Sequence, residues 1–371
     1  MNSLQSLADK LDAQRDQIES FLVVTGFDGF VDEMIQAVDL RHDINRYQAV
    51  KTIDQFGSLI KAAAGHSSLR EIVVTQTDPG GCAINMGDGL AALGVQVDTF
   101  ATVGEPVHAA FQEYASKATL HSWGREPGRT LAFEFNDGKL MFSAVSPLSE
   151  FTPQDIQQRI QDGVFLAKCE TADLIAITDW TLFPHMTACW KALQDHVFSK
   201  LSHRPKFFLD LVDPVSRSPE DIAAMLKALP GFCQTGHTTL GLNQNEANLL
   251  SKATGGEALP KPDISRAKDQ AQTLLKALCV DEVVIHAVDY AVSASAQGTA
   301  ETTGPYCADP VKLTGAGDRF NAGYALGMLL ELPPTQQLQL AVFTSGIYVR
   351  QGTSATLEQV IQFIRSTNDE A

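Results

Sequence analysis

The sequence is poor in basic residues and has no long hydrophobic segment. Its 371 residues include 28 Lys and Arg against 44 Asp and Glu, which gives a formal net charge of −16. A surface this acidic repels nucleic-acid backbones and anionic lipid headgroups, so we expect neither nucleic-acid binding nor membrane association. No run of about 18 apolar residues occurs, and the polar N-terminus lacks the apolar core of a signal peptide. These absences predict a cytoplasmic protein.

Several functional signatures are also missing. The cysteines form no CxxC pair and no Cys/His zinc spacing, so we expect reduced thiols in a cytosolic protein. The six cysteines are Cys82, Cys169, Cys189, Cys233, Cys279 and Cys307. No G-x-G-x-x-G opens the first strand–helix unit, which argues against a nicotinamide dehydrogenase.

The second half of the chain alternates strand patterns with helix patterns. Apolar β-rich runs are predicted as strands at 172–178, 206–212, 239–242 and 282–288. Helical spacing is predicted at 153–168, 185–200, 219–229, 245–253, 264–279, 315–330 and 335–350. Such alternation predicts an α/β fold with a mostly parallel central sheet and helices on both faces. We find no repeat or linker, so residues 1–371 are interpreted as one domain.

The first half of the chain has a more varied pattern. Apolar residues recur at near-helical spacing over residues 1–20, which we interpret as an N-terminal helical extension. Strands are predicted at the start of FLVVTGFDGF, in EIVVTQT and in VQVDTFATVG, and helices over 43–70 and 83–94. Residues 129–145 flank Asn136-Asp137-Gly138, which is a strong hairpin signal. This hairpin predicts a small β-rich lid over about 121–149.

The strongest chemical signal is the glycine loop TGAGDRFNAG at 314–323, which precedes an apolar helix. Glycines at a helix start let several backbone N–H groups converge on an anion, which the helix dipole also favours. A carboxylate at the end of such a loop, here Asp318, is placed to accept a proton from a hydroxyl that attacks phosphorus. The structural alternative is a helix start that needs small residues only for packing.

Two further motifs carry polar groups that suit a sugar. Gly80 and Gly81 let the backbone approach a ligand closely, and Asn85, one turn later, offers both a donor and an acceptor to hydroxyl groups. The alternative is a plain turn before a helix. Asp28 and Asp32 follow the first strand, and a carboxylate pair suits vicinal diols, although a turn and a helix cap would use the same residues.

In order and spacing, these motifs resemble the ribokinase-like (PfkB) carbohydrate kinase family over about residues 22–355. The resemblance implies that Gly315, Ala316 and Gly317 form an anion hole and that Asp318 is the general base. It also implies substrate contacts from Asp28 or Asp32, with Asp32 fitting the spacing slightly better, and from Gly80, Gly81 and Asn85.

The family's NxxE motif is similar to Asn243-Gln244-Asn245-Glu246. The resemblance implies that Asn243, Thr314 and Lys312 lie on the nucleotide side and that Glu246 holds Mg²⁺ through water. A carboxylate is chemically suitable, since Mg²⁺ keeps several waters and few protein ligands. A helix-capping Asn with a Glu three residues later gives the same letters.

Some positions depart from the family pattern and indicate a divergent member. Lys312 and Leu313 stand where Asp and Thr are usual, and Lys312 is a candidate point charge near the phosphates. IHAVDYAV at 285–292 lacks the glycines that usually surround the adenine, and Pro106 stands where an Asp is common. An additional helical segment is predicted between Asp28 and Gly80.

The resemblance implies an ATP- and Mg²⁺-dependent kinase that phosphorylates a hydroxyl of a small sugar-like substrate. A nucleoside or sugar-phosphate acceptor, or a non-catalytic ligand-binding member of the fold, remains open as an alternative. Dependence on a monovalent cation and a homodimer formed through the lid are also left open. The hypothesis requires Asp318 to share one cleft with Asp28, Asp32 and Asn85.

Overall fold

The computed structural model describes residues 3–261 and 263–369, so the outermost ends of the predicted domain and helical extension lie outside the described residues. The strands are β1 Leu22–Phe27, β2 Phe30–Arg41, β3 Tyr47–Ala49, β4 Ile72–Gly80, β5 Gln96–Ala101, β6 Thr119–Ser122, β7 Gly128–Phe135, β8 Gly138–Ala144, β9 Leu174–Ile177, β10 Lys206–Asp210, β11 His237–Asn243, β12 Glu282–His286, β13 Tyr290–Ser295 and β14 Gly298–Thr303. The helices are α1 Ser3–Ala13, α2 Arg15–Ser20, α3 Ile53–Ala62, α4 Cys82–Ala92, α5 Gln112–Ala115, α6 Pro153–Arg159, α7 Val164–Thr171, α8 Met186–His196, α9 Pro219–Ala228, α10 Pro230–Thr235, α11 Gln244–Ala253, α12 Ile264–Leu278, α13 Ala316–Leu329, α14 Pro334–Gln351 and α15 Leu357–Asp369.

A large sheet forms the centre of the molecule. Its strand order is β14-β13-β12-β11-β10-β9-β1-β5-β6, and the block from β12 to β6 is parallel throughout. Strands β13 and β14 continue the β12 edge in antiparallel orientation. The predicted mostly parallel sheet is therefore confirmed. Parallel strands end at the same edge of a sheet, so the segments that follow β1, β9, β10, β11 and β12 lie close together.

Helices cover both faces of this sheet because neighbouring strand residues point to opposite sides. On β1, Val23 belongs to the apolar cluster that α1, α4, α13, α14 and α15 cover. Its neighbour Val24 belongs to the cluster on the other face, which α6 to α12 cover. Both valines are almost fully buried. This two-sided burial is typical of parallel sheets and accounts for the continuous apolar runs in the strand sequences.

A second sheet forms the lid and is larger than the sequence analysis predicted. Strand β2 pairs with β4 and β3 in antiparallel orientation and with β7 in parallel orientation, and β8 completes the sheet. The predicted hairpin is present as β7 and β8. The helix predicted over 43–70 is wrong at 47–49, which is strand β3, and α3 covers only part of that range. Residues 121–122, predicted within the lid, instead belong to β6 of the large sheet.

Two further predictions concern cysteine chemistry and membrane spans. The six cysteines all lie in the described residues and are free, as expected for reduced thiols. Within residues 3–261 and 263–369, no helix combines the length and the apolar character that a membrane span requires.

Candidate active site

The N-terminal and C-terminal motifs meet at the edge of the large sheet where the parallel strands end. The amide Nδ2 of Asn85, on α4, donates a hydrogen bond of 2.9 Å to Oδ2 of Asp318, on α13. The two helices pack closely: a Cβ added at Gly89 would lie 2.8 Å from the Cβ of Ala322. Residues that are 233 positions apart in the sequence therefore form one site, as the hypothesis requires.

The side chain of Asp318 is 7% exposed. Burial raises the pKa of its carboxyl to about 7, with a further increase from the negative charge of Asp210 and a smaller opposing effect from Arg319. A carboxyl group with a pKa near neutrality exchanges a proton readily at physiological pH, which is the property that general acid–base chemistry needs.

The glycine loop before α13 is the segment that the sequence analysis predicted to form an anion hole. Gly315 has a φ of +84°, a left-handed conformation that glycine adopts without strain. The hydroxyl of Tyr348 donates a 2.6 Å hydrogen bond to the carbonyl of Thr314, which fixes the loop. The N–H of Ala316 donates to the carbonyl of Leu313 at 3.0 Å. Within the described residues, the N–H groups of Gly315, Gly317 and Asp318 have no acceptor, so these three are available to an anion.

The two aspartates after β1 have different environments. Asp28 is buried, and its carboxylate accepts hydrogen bonds from the N–H groups of Cys82 and Ala83 and from the hydroxyl of Thr178. Asp28 thereby caps the start of α4 and fixes the glycine turn before it. Burial raises its pKa despite these bonds. Both carboxylate oxygens of Asp28 therefore already accept hydrogen bonds from the protein, and its predicted contact with the substrate stays a prediction.

Asp32 lies on the lid strand β2, on the opposite side of the glycine pair. Burial raises the pKa of its carboxyl, while a hydrogen bond from Thr130 and the positive charge of Lys312 oppose the increase. A Cβ added at Gly80 would lie 2.4 Å from Oδ2 of Asp32. The structure therefore places Asp32 directly over the glycine turn and leaves it as the member of the pair with capacity for a ligand.

Gly80 and Gly81 are glycines because of these close approaches. Gly81 has a φ of +102°, and a Cβ there would lie 2.6 Å from the carbonyl oxygen of Asp28. Any side chain at Gly80 or Gly81 would displace one of the two aspartates. The glycine pair thus has a steric function, and its predicted close approach to a ligand stays a prediction.

Asn243 and Glu246 form a helix cap at the start of α11. The side chain of Asn243 accepts from the N–H of Glu246 at 3.0 Å, and the Glu246 carboxylate accepts from the N–H of Asn243 at 2.8 Å. This is the capping-box alternative that the sequence analysis named. Burial, with the nearby charge of Asp210, raises the pKa of Glu246 well above its usual value. The described residues contain no cluster of three or more side chains that could hold a metal ion.

A cavity of about 680 Å³ opens beside the anion hole. Its apolar lining includes Leu259, Pro260, Phe320, Val342 and Val349, and its polar lining includes Asn243, Gln244, Asn248, His286, Asp289 and Tyr290. The segment 286–290 therefore lines the cavity. It belongs to the stretch 285–292, which lacks the glycines that the family pattern has there. An elongated polar molecule can enter this cavity and present an anionic end to the N–H groups at the start of α13.

His286 is a cavity residue that the sequence analysis did not identify. Its ring lies 4.8 Å from the ring of Phe320, and a Cβ at Gly317 would lie 3.3 Å from its Cε1 atom. Burial lowers the pKa of His286 to about 4, so the imidazole is neutral at physiological pH. No partner within the described residues hydrogen-bonds the ring. Its signal in the sequence is its position at the carboxyl end of a parallel strand, beside Asn243 in the register.

Two more aspartates, Asp179 and Asp210, were missed or given little weight. Asp210 ends β10 and accepts a 2.6 Å hydrogen bond from Nδ2 of Asn321, and burial raises its pKa to about 6. Asp179 follows β9 with a φ of 57° and is fully buried. These carboxylates make the floor of the site strongly acidic. Nearby, Arg217 donates hydrogen bonds to the backbone carbonyls of Thr181 and Phe183.

Lys312 and Thr314 lie on the loop that leads into α13. The carbonyl of Thr314 fixes the loop through Tyr348, as described above. The ammonium group of Lys312 lies 3.2 Å from Oδ2 of Asp78 on the lid strand β4. The structure therefore directs Lys312 towards the lid and Asp32, and not into the cavity that was predicted to hold the nucleotide.

Comparison with known proteins gives consistent results. The model of a family described as prokaryotic ketohexokinase matches residues 5–367. A ketohexokinase of Haloferax volcanii is 27% identical over 362 residues, which cover 97% of this chain and 93% of the relative.

Solved structures with the same fold include ribokinase from Thermotoga maritima, with a TM-score of 0.63, 14% identity and coverage of 93% of this chain and 99% of the other. Phosphofructokinase-2 from Escherichia coli gives a TM-score of 0.62, 13% identity and coverage of 94% and 99%. A carbohydrate kinase from Agrobacterium tumefaciens gives 0.62, 17% identity and coverage of 93% and 96%.

Proposed function

Because the chain belongs to the prokaryotic ketohexokinase family, we propose that it transfers the γ-phosphate of ATP to a hydroxyl group of a ketohexose. The chain is a carbohydrate kinase with a ribokinase-like fold, as the sequence predicted. The ketohexose acceptor, the nucleotide and the role of each residue are the proposal. The name of the Haloferax volcanii relative supports the acceptor. The hydrogen bond between Asn85 and Asp318 is the observation that carries the assignment of the site.

The sugar is proposed to bind between the lid and α4. Asp32 accepts hydrogen bonds from sugar hydroxyls, the turn at Gly80 and Gly81 allows close approach, and Asn85 orients both the sugar and Asp318. The buried carboxylate of Asp318 then accepts the proton of the attacking hydroxyl. The sugar oxygen forms a bond to the γ-phosphorus while the bond to the β-phosphate oxygen breaks and ADP leaves.

The anion hole is proposed to act on the charge of the phosphoryl group in transit. Within the part of the chain that the structure describes, the N–H groups of Gly315, Gly317 and Asp318 have no acceptor, and the hydrogen bond from Tyr348 fixes the loop before them. Preorganised donors of this kind stabilise charge that develops in the transition state. Ala316 was predicted to donate as well, but its N–H is already bonded to Leu313, so its role is to shape the loop.

ATP is proposed to occupy the cavity beside α13. The cavity volume of about 680 Å³ and the apolar lining on one side suit a purine, and the α13 start suits the phosphates. Asn243 and His286 are proposed to contact the nucleotide from the ends of β11 and β12. The neutral imidazole of His286 can donate one hydrogen bond to a phosphate oxygen.

Magnesium is proposed to arrive with the nucleotide. Glu246 is engaged in the helix cap, so its fit to Mg²⁺ is through bound water, as the sequence resemblance implies. The metal would supply charge neutralisation of the phosphates. The chain's own contribution is the two carboxyl groups of Glu246 and Asp210, which can hydrogen-bond the water shell of a cation on this side of the phosphates.

A homodimer formed through the lid and a cytoplasmic location, where ATP is supplied, are also proposed. Val74 on β4 and Phe142 on β8 of the lid are 43% and 53% exposed. Such apolar exposure suits an interface between two copies of the chain. A monomeric mass in light scattering at micromolar concentration would contradict the dimer.

A substrate panel tests the proposed function. ADP release is coupled to a colour reaction, with Mg²⁺, ATP and one acceptor at a time: ketohexoses, aldohexoses, nucleosides and sugar phosphates. The proposal predicts the highest kcat/KM with a ketohexose. A preference for a nucleoside or a sugar phosphate would contradict the acceptor, and ADP release that no acceptor stimulates would contradict kinase activity on these compounds.

A further inference from the structure

We propose that Lys312 contacts the phosphoryl group during transfer and that Asp78 holds the lysine in position before the substrates bind. This inference rests on the proposed function and adds a catalytic residue to it. It concerns a position at which the chain departs from the family pattern.

The ion pair between Lys312 and Asp78 crosses the cleft. Lys312 lies on the loop that forms the anion hole, three residues before Gly315, and Asp78 lies on the lid strand β4, two residues before Gly80. The two charged groups are 3.2 Å apart. Asp78 is also the register partner of Asp32 on β2. The lysine ammonium group is therefore held above the place where the sugar hydroxyl and the phosphate have to meet.

The negative charges around Asp318 favour a cation beside the transferred phosphoryl group. Asp28, Asp210 and Asp318 lie below it, and their mutual repulsion contributes to the raised pKa of Asp318. A transferring phosphoryl group adds negative charge to this region. A cation that faces the phosphoryl group lowers the cost of bringing these charges together.

Arg319, the other cation beside the loop, cannot take this role. Its guanidinium donates to Asp88 at 3.1 Å, to Ser354 at 2.9 Å and to the carbonyl of Gly315, and it stacks on the ring of Tyr348. Its side chain is 8% exposed. The guanidinium group of Arg319 is therefore engaged in fixing the loop, and it cannot rotate towards the phosphoryl group without losing these contacts.

Lys312 is much less constrained than Arg319. Its side chain is 35% exposed and its ammonium group has one carboxylate partner within the described residues. A partly exposed ion pair of this kind contributes roughly 0–1 kcal/mol, so the lysine can exchange Asp78 for a phosphoryl oxygen at little cost. A lysine suits this exchange, since its flexible stem carries a compact point charge.

The competing interpretation is that the pair only ties the lid to the anion-hole loop. Exchange of the two charges separates the interpretations, because Lys312→Asp combined with Asp78→Lys keeps an ion pair but moves the cation to the lid strand. The experiment compares the wild type, Lys312→Met, Lys312→Arg, Asp78→Asn and the charge-exchanged double variant. Each is assayed for kcat and for both KM values with ATP and a ketohexose. Thermal unfolding shows that each variant folds.

The proposal predicts that Lys312→Met lowers kcat by about a hundredfold, the loss typical of removing one donor to a transition-state charge. Lys312→Arg retains more activity than Lys312→Met, Asp78→Asn lowers kcat less than Lys312→Met does, and the charge exchange does not restore kcat. The matched control exchanges Lys268 and Glu301, a partly exposed pair remote from the cleft, and leaves kcat unchanged.

Two results would overturn the proposal: full kcat in the Lys312→Met variant, or recovery of kcat on charge exchange. Either would assign the pair to lid attachment alone. Both are distinct from failure of the proposed function, in which the wild-type chain itself releases no ADP with any sugar. The role of Lys312 is thus tested only against a wild type that has kinase activity.

Discussion

Replacement of Asp318 by asparagine should stabilise the folded protein at neutral and alkaline pH. Burial and the charge of Asp210 raise the pKa of Asp318 from 3.8 to about 7. The folded protein therefore keeps a proton that the unfolded chain has already released, and stability falls as the pH rises towards the folded-state pKa. A difference of this size corresponds to up to ~4 kcal/mol above about pH 7. An uncharged asparagine avoids this cost and keeps an acceptor for Asn85.

The sign of the effect fixes its pH dependence. Below about pH 4 the carboxyl is protonated in both states, so Asp318→Asn should change the free energy of unfolding little. Between about pH 4 and 7 the stabilisation should grow, and above about pH 7 it should level off. Urea unfolding at a series of pH values measures this difference directly.

Asp195→Asn is the control for this prediction, since Asp195 is exposed on α8 and its carboxylate has no partner within the described residues. Its unfolding curve should follow that of the wild type at every pH. A stabilisation by Asp318→Asn that is the same at about pH 4 and pH 8, or a loss of stability above pH 7, would refute the reasoning.

Two further substitutions test the glycine turn and the nucleotide cavity. Gly81→Ala should lower the free energy of unfolding by at least ~1–2 kcal/mol, because the residue has a φ of +102° and a Cβ would clash with the Asp28 carbonyl. Gly57→Ala is the control and should not destabilise the protein, since no atom lies within 4 Å of its added Cβ. Denaturant unfolding decides, and equal effects of the two substitutions would contradict the steric argument. His286→Ala should raise the KM for ATP about tenfold, the value of one hydrogen bond of roughly 1.4 kcal/mol, without changing the sugar KM. His66→Ala, at an exposed position outside the cavity, is the control, and an unchanged ATP KM in His286→Ala would remove the proposed contact.

The meeting of the two main motifs was predictable from the sequence. Glycine loops before apolar helices have a local conformational cause, and the alternation of strands and helices fixes a parallel sheet whose carboxyl ends share one edge. Asn85 and Asp318 each follow from such a local pattern. Their proximity follows from the fold class, without knowledge of any individual contact.

The distinction between Asp28 and Asp32 was not predictable. It depends on which carboxylate reaches the free N–H groups of Cys82 and Ala83 and the hydroxyl of Thr178, which come from two distant parts of the chain. Spacing after the first strand contains no information about these partners. The same applies to Lys312, whose partner Asp78 is 234 residues away.

Strands β2 and β3 of the lid were missed because their pairing is non-local. Residues 30–41 form one long strand that pairs with three separate segments, and no short turn signals this arrangement. The helical pattern over 43–70 combined the apolar face of α3 with Tyr47 and Val50, which lie in and just after a short strand. Apolar spacing in short segments does not separate a helix from a strand that packs against one.

The most direct test of the account is the turnover of Asp318→Asn with Mg²⁺, ATP and a ketohexose, followed by phosphorus NMR of the product. If Asp318 is the base, wild type converts the sugar to its phosphate ester, and the variant, folded and with ATP affinity retained, does so at least about a hundredfold more slowly. Wild-type turnover in the variant would contradict the central claim.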